Sequence, residues 1–209
     1  MICHVTTDST QPINLFLDAL AAKQPTPGGG SVAALAGALA AAMGEMVLNY
    51  SIGKKDLVAH EPVLKETLAE LHRAREMLLE LLIEDQLAFE KLTSARKACN
   101  NAGDKDPTFA AALLACIRIP QTIGATAAAI IDLCERVAPI SNKYLLSDLA
   151  VCAEMAMATV RCAGYNVRVN LGDLGDPKDR KHFEESTEAL VAKSVATMRR
   201  TMPAIWSRV

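Results

Sequence analysis

The sequence predicts an all-α fold: one helical bundle of about six helices, one of them unusually long, with residues 1–209 forming a single domain. Three observations predict it. Apolar residues recur with a period near 3.6 along almost the whole chain, and no run alternates as a strand would. Hydrophobic residues make up 51% of the chain and aromatics only 4%, so the core must be built from small and medium aliphatic side chains. Alanine and leucine, which dominate, are also the best helix formers. Prolines and glycines gather between the periodic stretches, linkers are short, and a chain of this length can bury a sizeable core.

The first helix is expected from Pro12, a residue suited to the first helical position, through "INLFLDALAAK". The second follows "PTPGGG" and covers roughly 31 to 52. A third begins near Pro62 and continues to about Lys97, before the polar stretch "NNAGDKD" breaks the pattern. Pro107 opens a fourth, which Pro120 should kink and Pro139 should end. A fifth spans about 147 to 168 with Ser147 or Asp148 as cap. Gly172, Gly175 and Pro177 separate it from a last helix reaching close to Pro203.

Several function classes are excluded at this level. The formal charge of −2 with no basic block argues against nucleic acid or an anionic membrane as partner. Asp8, Asp18 and Lys23 interrupt the first 25 residues, so no signal peptide is expected. The uncharged stretch between Lys23 and Glu45 holds two prolines and five glycines, a poor composition for a membrane span. Six cysteines (Cys3, Cys99, Cys116, Cys134, Cys152, Cys162) contain no C-x-x-C pair, and four scattered histidines (His4, His60, His72, His182) offer no ligand spacing. Free thiols in a reducing cytoplasm, with no metal, are the expectation.

Four patterns bear on chemistry. Glycines 30, 37 and 44 are spaced by seven on one helix, which suggests a closely approaching backbone along that face. "PGGGS" at 27–31 leaves backbone N–H groups bare just before a helix start, where an anion or carbonyl oxygen is favoured; a plain turn reads equally well. Asn49, Lys54 and Lys55 close the second helix, where lysines also simply complement the helix dipole. Asp148, Cys152, Met155, Thr159, Cys162 and Asn166 share one face of the fifth helix, with Asn170 extending it. That stripe fits a cleft wall or a helix–helix contact.

The narrowest signal is an acid in a core register. Leu64, Leu71, Leu78 and Leu92 repeat by sevens, and the missing member is Asp85, with Leu81, Leu82, Ala88 and Phe89 around it. A carboxylate in apolar surroundings is disfavoured unless paired, and its pKa rises. Asp85 is therefore either half of a buried ion pair, with Arg118 as one possible cation, or a proton-transfer group.

Together "PTPGGGSVAALAGALAAAMGEMVLNYSIGKK", "EDQLAF" and "SDLAVCAEMAMATVRCAGYNVRVNL" resemble the folate cyclodeaminase/cyclohydrolase family, in order and spacing, over nearly the whole chain. The resemblance implies an all-helical homodimer in the cytoplasm, with a tetrahydrofolate derivative as substrate near the subunit interface and neither metal nor nucleotide cofactor. By position it implies Asp85 as the proton-transfer residue and Gly28, Gly29, Gly30, Ser31, Asn49, Lys54, Lys55, Asp148, Asn166 and Asn170 as substrate-binding positions. Its "IGKK" is typical of stand-alone members and tilts the expectation toward methenyltetrahydrofolate cyclohydrolase over formiminotetrahydrofolate cyclodeaminase. One departure stands out. The segment "KACNNAGDKDPTFAAALLACIRIP" is shorter than its counterparts and lacks their basic residues, which keeps a non-catalytic folate-binding or protein-interaction dimer among the alternatives.

Overall fold

A computed structural model describes residues 11–98 and 107–209. Cys3, His4 and Asp8 lie outside the described residues, as do Cys99 and the rest of 99–106 within the shortened segment. All regular elements among the described residues are helical: α1 (Ile13–Ala21), α2 (Gly29–Asn49), α3 (Glu61–Ala98), α4 (Pro107–Val137), α5 (Leu146–Leu171) and α6 (Pro177–Trp206). Short 3-10 turns, Lys55–His60 and Lys143–Leu145, precede α3 and α5. The expected six helices are present, and α3, at 38 residues, is the long one.

α2 is the centre of the bundle. It packs against α3 and α5, α4 closes the far side against both of these, and α6 covers α4 and α5. Ala33, Ala34, Ala40 and Ala41 of α2 are fully buried, as are Leu64 and Leu78 of α3 and Ile123, Ile130 and Ile131 of α4. By length and hydropathy α2 and α4 would each be able to cross a membrane, yet 56% and 50% of those windows are buried inside the bundle. They are its core helices.

The boundaries differ from expectation at four places. Pro12 caps α1 instead of standing in its first turn. α2 starts at Gly29, two residues early, and stops at Asn49. α5 starts at Leu146 without a side-chain cap from Ser147 or Asp148; the fully buried Leu146 anchors that start. α6 runs through Pro203 to Trp206, because Ile205 beyond it is fully buried and Arg208 donates to the carbonyls of Ala138 and Ser141.

Candidate active site

Three seven-residue rows meet along α2. A side chain at Gly44 would strike Leu71 of α3 at 2.9 Å and Cys152 of α5 at 3.2 Å. One turn-pair earlier, a side chain at Gly37 would meet Leu78 at 3.0 Å and Thr159 at 3.1 Å. The next rung is polar: a Cβ on Gly30 would stand 2.0 Å from Oδ1 of Asp85, and one on Gly29 would lie 3.1 Å from Oδ1 of Asn166. The glycine row is thus the seam into which α3 and α5 both close. The stripe on α5 is a helix–helix contact over Cys152 and Thr159, both fully buried. Only its last members, Asn166 and Asn170, reach a cleft. Asp85 occupies a core register because its rung is where the cleft opens between the main core and a smaller one around Ala88 and Leu92.

Asp85 is held by the start of α2. The Ser31 hydroxyl donates to its Oδ2 at 2.9 Å, and the Ser31 backbone N–H donates to it as well. That N–H belongs to the first turn of a helix, where donors lack intrahelical partners and the dipole favours negative charge. Burial works the other way and wins: desolvation raises the Asp85 pKa above the ordinary carboxylate value, while the two Ser31 bonds pull it down. Among the described residues no cation pairs with Asp85, and Arg118 is exposed to solvent. Arg118, the cation the sequence offered for a buried ion pair, is therefore not its partner.

The cleft has a volume of about 410 Å³ and is bounded by the 25–30 turn, α3, α4 and α5. Cys116 and Pro120 form its α4 wall. Proline has no N–H, so at position 120 it leaves the Cys116 carbonyl without its helical donor. The Asn170 side-chain amide supplies that donor at 3.1 Å, and also bonds the Asn166 carbonyl at 3.0 Å. α4 therefore passes through Pro120 as one element. The Cys116 thiol is pushed up to about 11 by burial and by the neighbouring Asp85, so it stays protonated near neutral pH and is no nucleophile. Among the described residues no three histidine, cysteine, aspartate or glutamate side chains converge as a metal site requires.

Gly28, Gly29, Gly30, Ser31, Asp85, Asn166 and Asn170 come together at this cleft. Asn49, Lys54, Lys55 and Asp148 do not. α2 and α5 run antiparallel, and the 18 positions from Ser31 to Asn49, or from Asp148 to Asn166, amount to about 27 Å along a helix. Those four residues gather at the opposite end, where Lys54 stands 6.0 Å from the Tyr144 ring centre. Sequence reading missed Thr26, Phe89, Arg96, Cys116 and Asp173 in the cleft wall. Two of them carried a signal: Phe89 and Arg96, four and eleven residues after Asp85, fall on the same face of α3.

Residues 12–189 match the family model described as formiminotransferase-cyclodeaminase. The chain is 34% identical to a methenyltetrahydrofolate cyclohydrolase of Methylorubrum extorquens over 203 residues, covering 95% of this chain and 98% of that one. It is 30% identical to the formimidoyltransferase-cyclodeaminase of Gallus gallus over 188 residues, which are 34% of that longer protein. Its fold matches the crystal structure of a formiminotetrahydrofolate cyclodeaminase from Thermotoga maritima with a TM-score of 0.88, at 28% identity and covering 95% and 97% of the two chains.

Proposed function

We propose, since this chain belongs to the formiminotransferase-cyclodeaminase family, that it is a folate one-carbon enzyme and acts as a methenyltetrahydrofolate cyclohydrolase. The carrying observation is Asp85: a half-buried carboxylate, free of any cation among the described residues, opening onto a cleft and gripped by a helix start. The bridge carbon of methenyltetrahydrofolate is a cationic amidinium centre, already electrophilic, and needs a positioned water and a base. Asp85 takes a proton from that water as its oxygen bonds to the carbon. It then returns the proton to N5 as the carbon–N5 bond breaks, while the remaining hydroxyl proton passes to solvent and leaves the 10-formyl product. A pKa raised toward the working pH suits a group that must both accept and release.

Cyclodeamination is the second reading, favoured by the likeness to the Thermotoga maritima formiminotetrahydrofolate cyclodeaminase. There N10 attacks the formimino carbon, and Asp85 moves the N10 proton to the departing nitrogen. That nitrogen leaves as ammonia with one further proton from solution.

The test is two assays on the purified protein. Loss of the near-ultraviolet band of methenyltetrahydrofolate is expected. Appearance of that band with ammonia from 5-formiminotetrahydrofolate supports the second reading. Silence in both, with tight folate binding, overturns the enzyme and leaves a binding protein.

A homodimer is part of the same proposal. α1 exposes Ile13, Leu15 and Leu17, and α2 exposes Val32 and Leu39, apolar side chains of the kind a second copy would cover. In such a dimer the Asn49, Lys54, Lys55 and Asp148 cluster of one protomer serves the cleft of its partner. Co-expressing Asp85→Asn and Lys54→Ala chains should then restore one working site per mixed dimer; no recovery of activity would separate that cluster from the reaction.

A further inference from the structure

Arg96 is the one cationic side chain lining the Asp85 cleft among the described residues, and it is ion-paired there with Asp173. Both partners are nearly half exposed, at 46% and 42%, so the pair is weakly held in water. Asp173 lies two residues past the end of α5, at the negative end of that helix dipole, where a carboxylate is disfavoured. A carboxylate arriving in the cleft without that handicap would compete well for the guanidinium.

The placement along α3 gives such a ligand its dimensions. Asp85 and Arg96 are eleven residues apart, about 16 Å along the helix axis. Helical side chains lean toward the N-terminus, and the longer arginine reaches further than the aspartate, so the guanidinium lies nearer the acid than that axial spacing. Between them stands Phe89, an aromatic ring 40% exposed in the cleft wall. Acid, aromatic face and cation thus follow in one line. A reacting carbon, an aryl ring and a carboxylate joined through an amide follow in the same order in a folate.

We propose that Arg96 captures the glutamyl carboxylate of a folate substrate by exchanging it for Asp173, with Phe89 stacked on the aryl ring between. This rests on the reading that the cleft accepts a folate. Arg96 is a specificity residue in this scheme and takes no part in proton transfer.

The experiment is equilibrium binding of p-aminobenzoylglutamate and of its diamide to the full chain, with turnover measured in parallel. The wild-type protein should prefer the diacid. Arg96→Gln should weaken diacid binding about ten- to hundredfold, the worth of a charge-assisted pair, and leave the diamide unaffected. Asp173→Asn frees the guanidinium and should tighten diacid binding, a gain that a damaged fold cannot produce. In turnover, Arg96→Gln should raise KM by a larger factor than it lowers kcat. Equal weakening of both compounds by Arg96→Gln, or no diacid preference in the wild-type chain, overturns the proposal. An Arg96-dependent diacid preference in a protein inert toward both folates would uphold this inference and overturn the enzymatic reading alone.

Discussion

Gly30 and Asp85 occupy one rung of the α2–α3 seam, and a single methyl group on the glycine would sit 2.0 Å from the acid's Oδ1. Gly30→Ala therefore evicts the carboxylate from Ser31 instead of merely crowding the core. Turnover should fall at least about a hundredfold, the scale of a lost acid–base group. Gly37→Ala and Gly44→Ala meet leucine ends at 3.0 and 2.9 Å instead. Their overpacking, offset by better helix propensity, should cost about 0–2 kcal/mol in urea unfolding while the surviving fold keeps its kcat. A stability loss with intact turnover at Gly30 would refute the distinction.

Asp85→Asn removes the proton carrier and keeps the shape. We expect a folded protein that still binds folate, with kcat lowered by about 10²–10⁴. Steady-state rates on methenyltetrahydrofolate decide it, and near-wild-type turnover removes Asp85 from the mechanism.

The same substitution should act on stability with a definite sign. Burial raises the folded-state pKa of Asp85 above 3.8, its value when solvated. Below 3.8 both states are protonated and nothing differs. As pH rises through the folded pKa, ionisation disfavours the native state, and above it the deficit is complete. Asp85→Asn should then match wild type in strong acid and gain relative stability toward neutral pH, read by denaturant midpoints across pH. A relative loss with rising pH would contradict the raised pKa.

Ser31 tunes the acid limb of the rate. Its hydroxyl bond lowers the Asp85 pKa, so Ser31→Ala should move the acid limb of kcat/KM to higher pH. A downward or absent shift would show that Asp85 is not the group titrating in that limb.

Asn170 and Pro120 should be coupled through the Cys116 carbonyl. Asn170→Ala strips that carbonyl of its donor at 3.1 Å, at a cost of about 1–3 kcal/mol. Pro120→Ala restores a helical N–H, so in that background Asn170→Ala should cost about 1 kcal/mol less. Additive effects in the double-mutant cycle would argue that the amide bond is incidental.

Much of this was legible in the primary structure, and the part that was not has a common cause. Period and proline position located six helices, and the leucine register singled out Asp85. The two heptad rows on α2 and α3 were each visible, yet nothing in either said that Gly30, Gly37 and Gly44 would meet Asp85, Leu78 and Leu71 in reverse order. Pairing of helices depends on tertiary packing, to which a one-dimensional pattern is blind. The polar candidates divided between two ends of the bundle for the same reason: helices some 30 Å long carry a motif's first and last residues far apart. The repair at Pro120 was hidden in the same way, because Asn170 reaches the Cys116 carbonyl from another helix.

The shared repeat of α2, α3 and α5 also restricts how such a chain can diverge. One residue inserted between Leu71 and Asp85 would swing the acid by about 100° and advance it by about 1.5 Å, turning it away from Ser31 and breaking every later rung at once. Descendants of this gene can exchange side chains within those helices, but changes of length are confined to the connections between them.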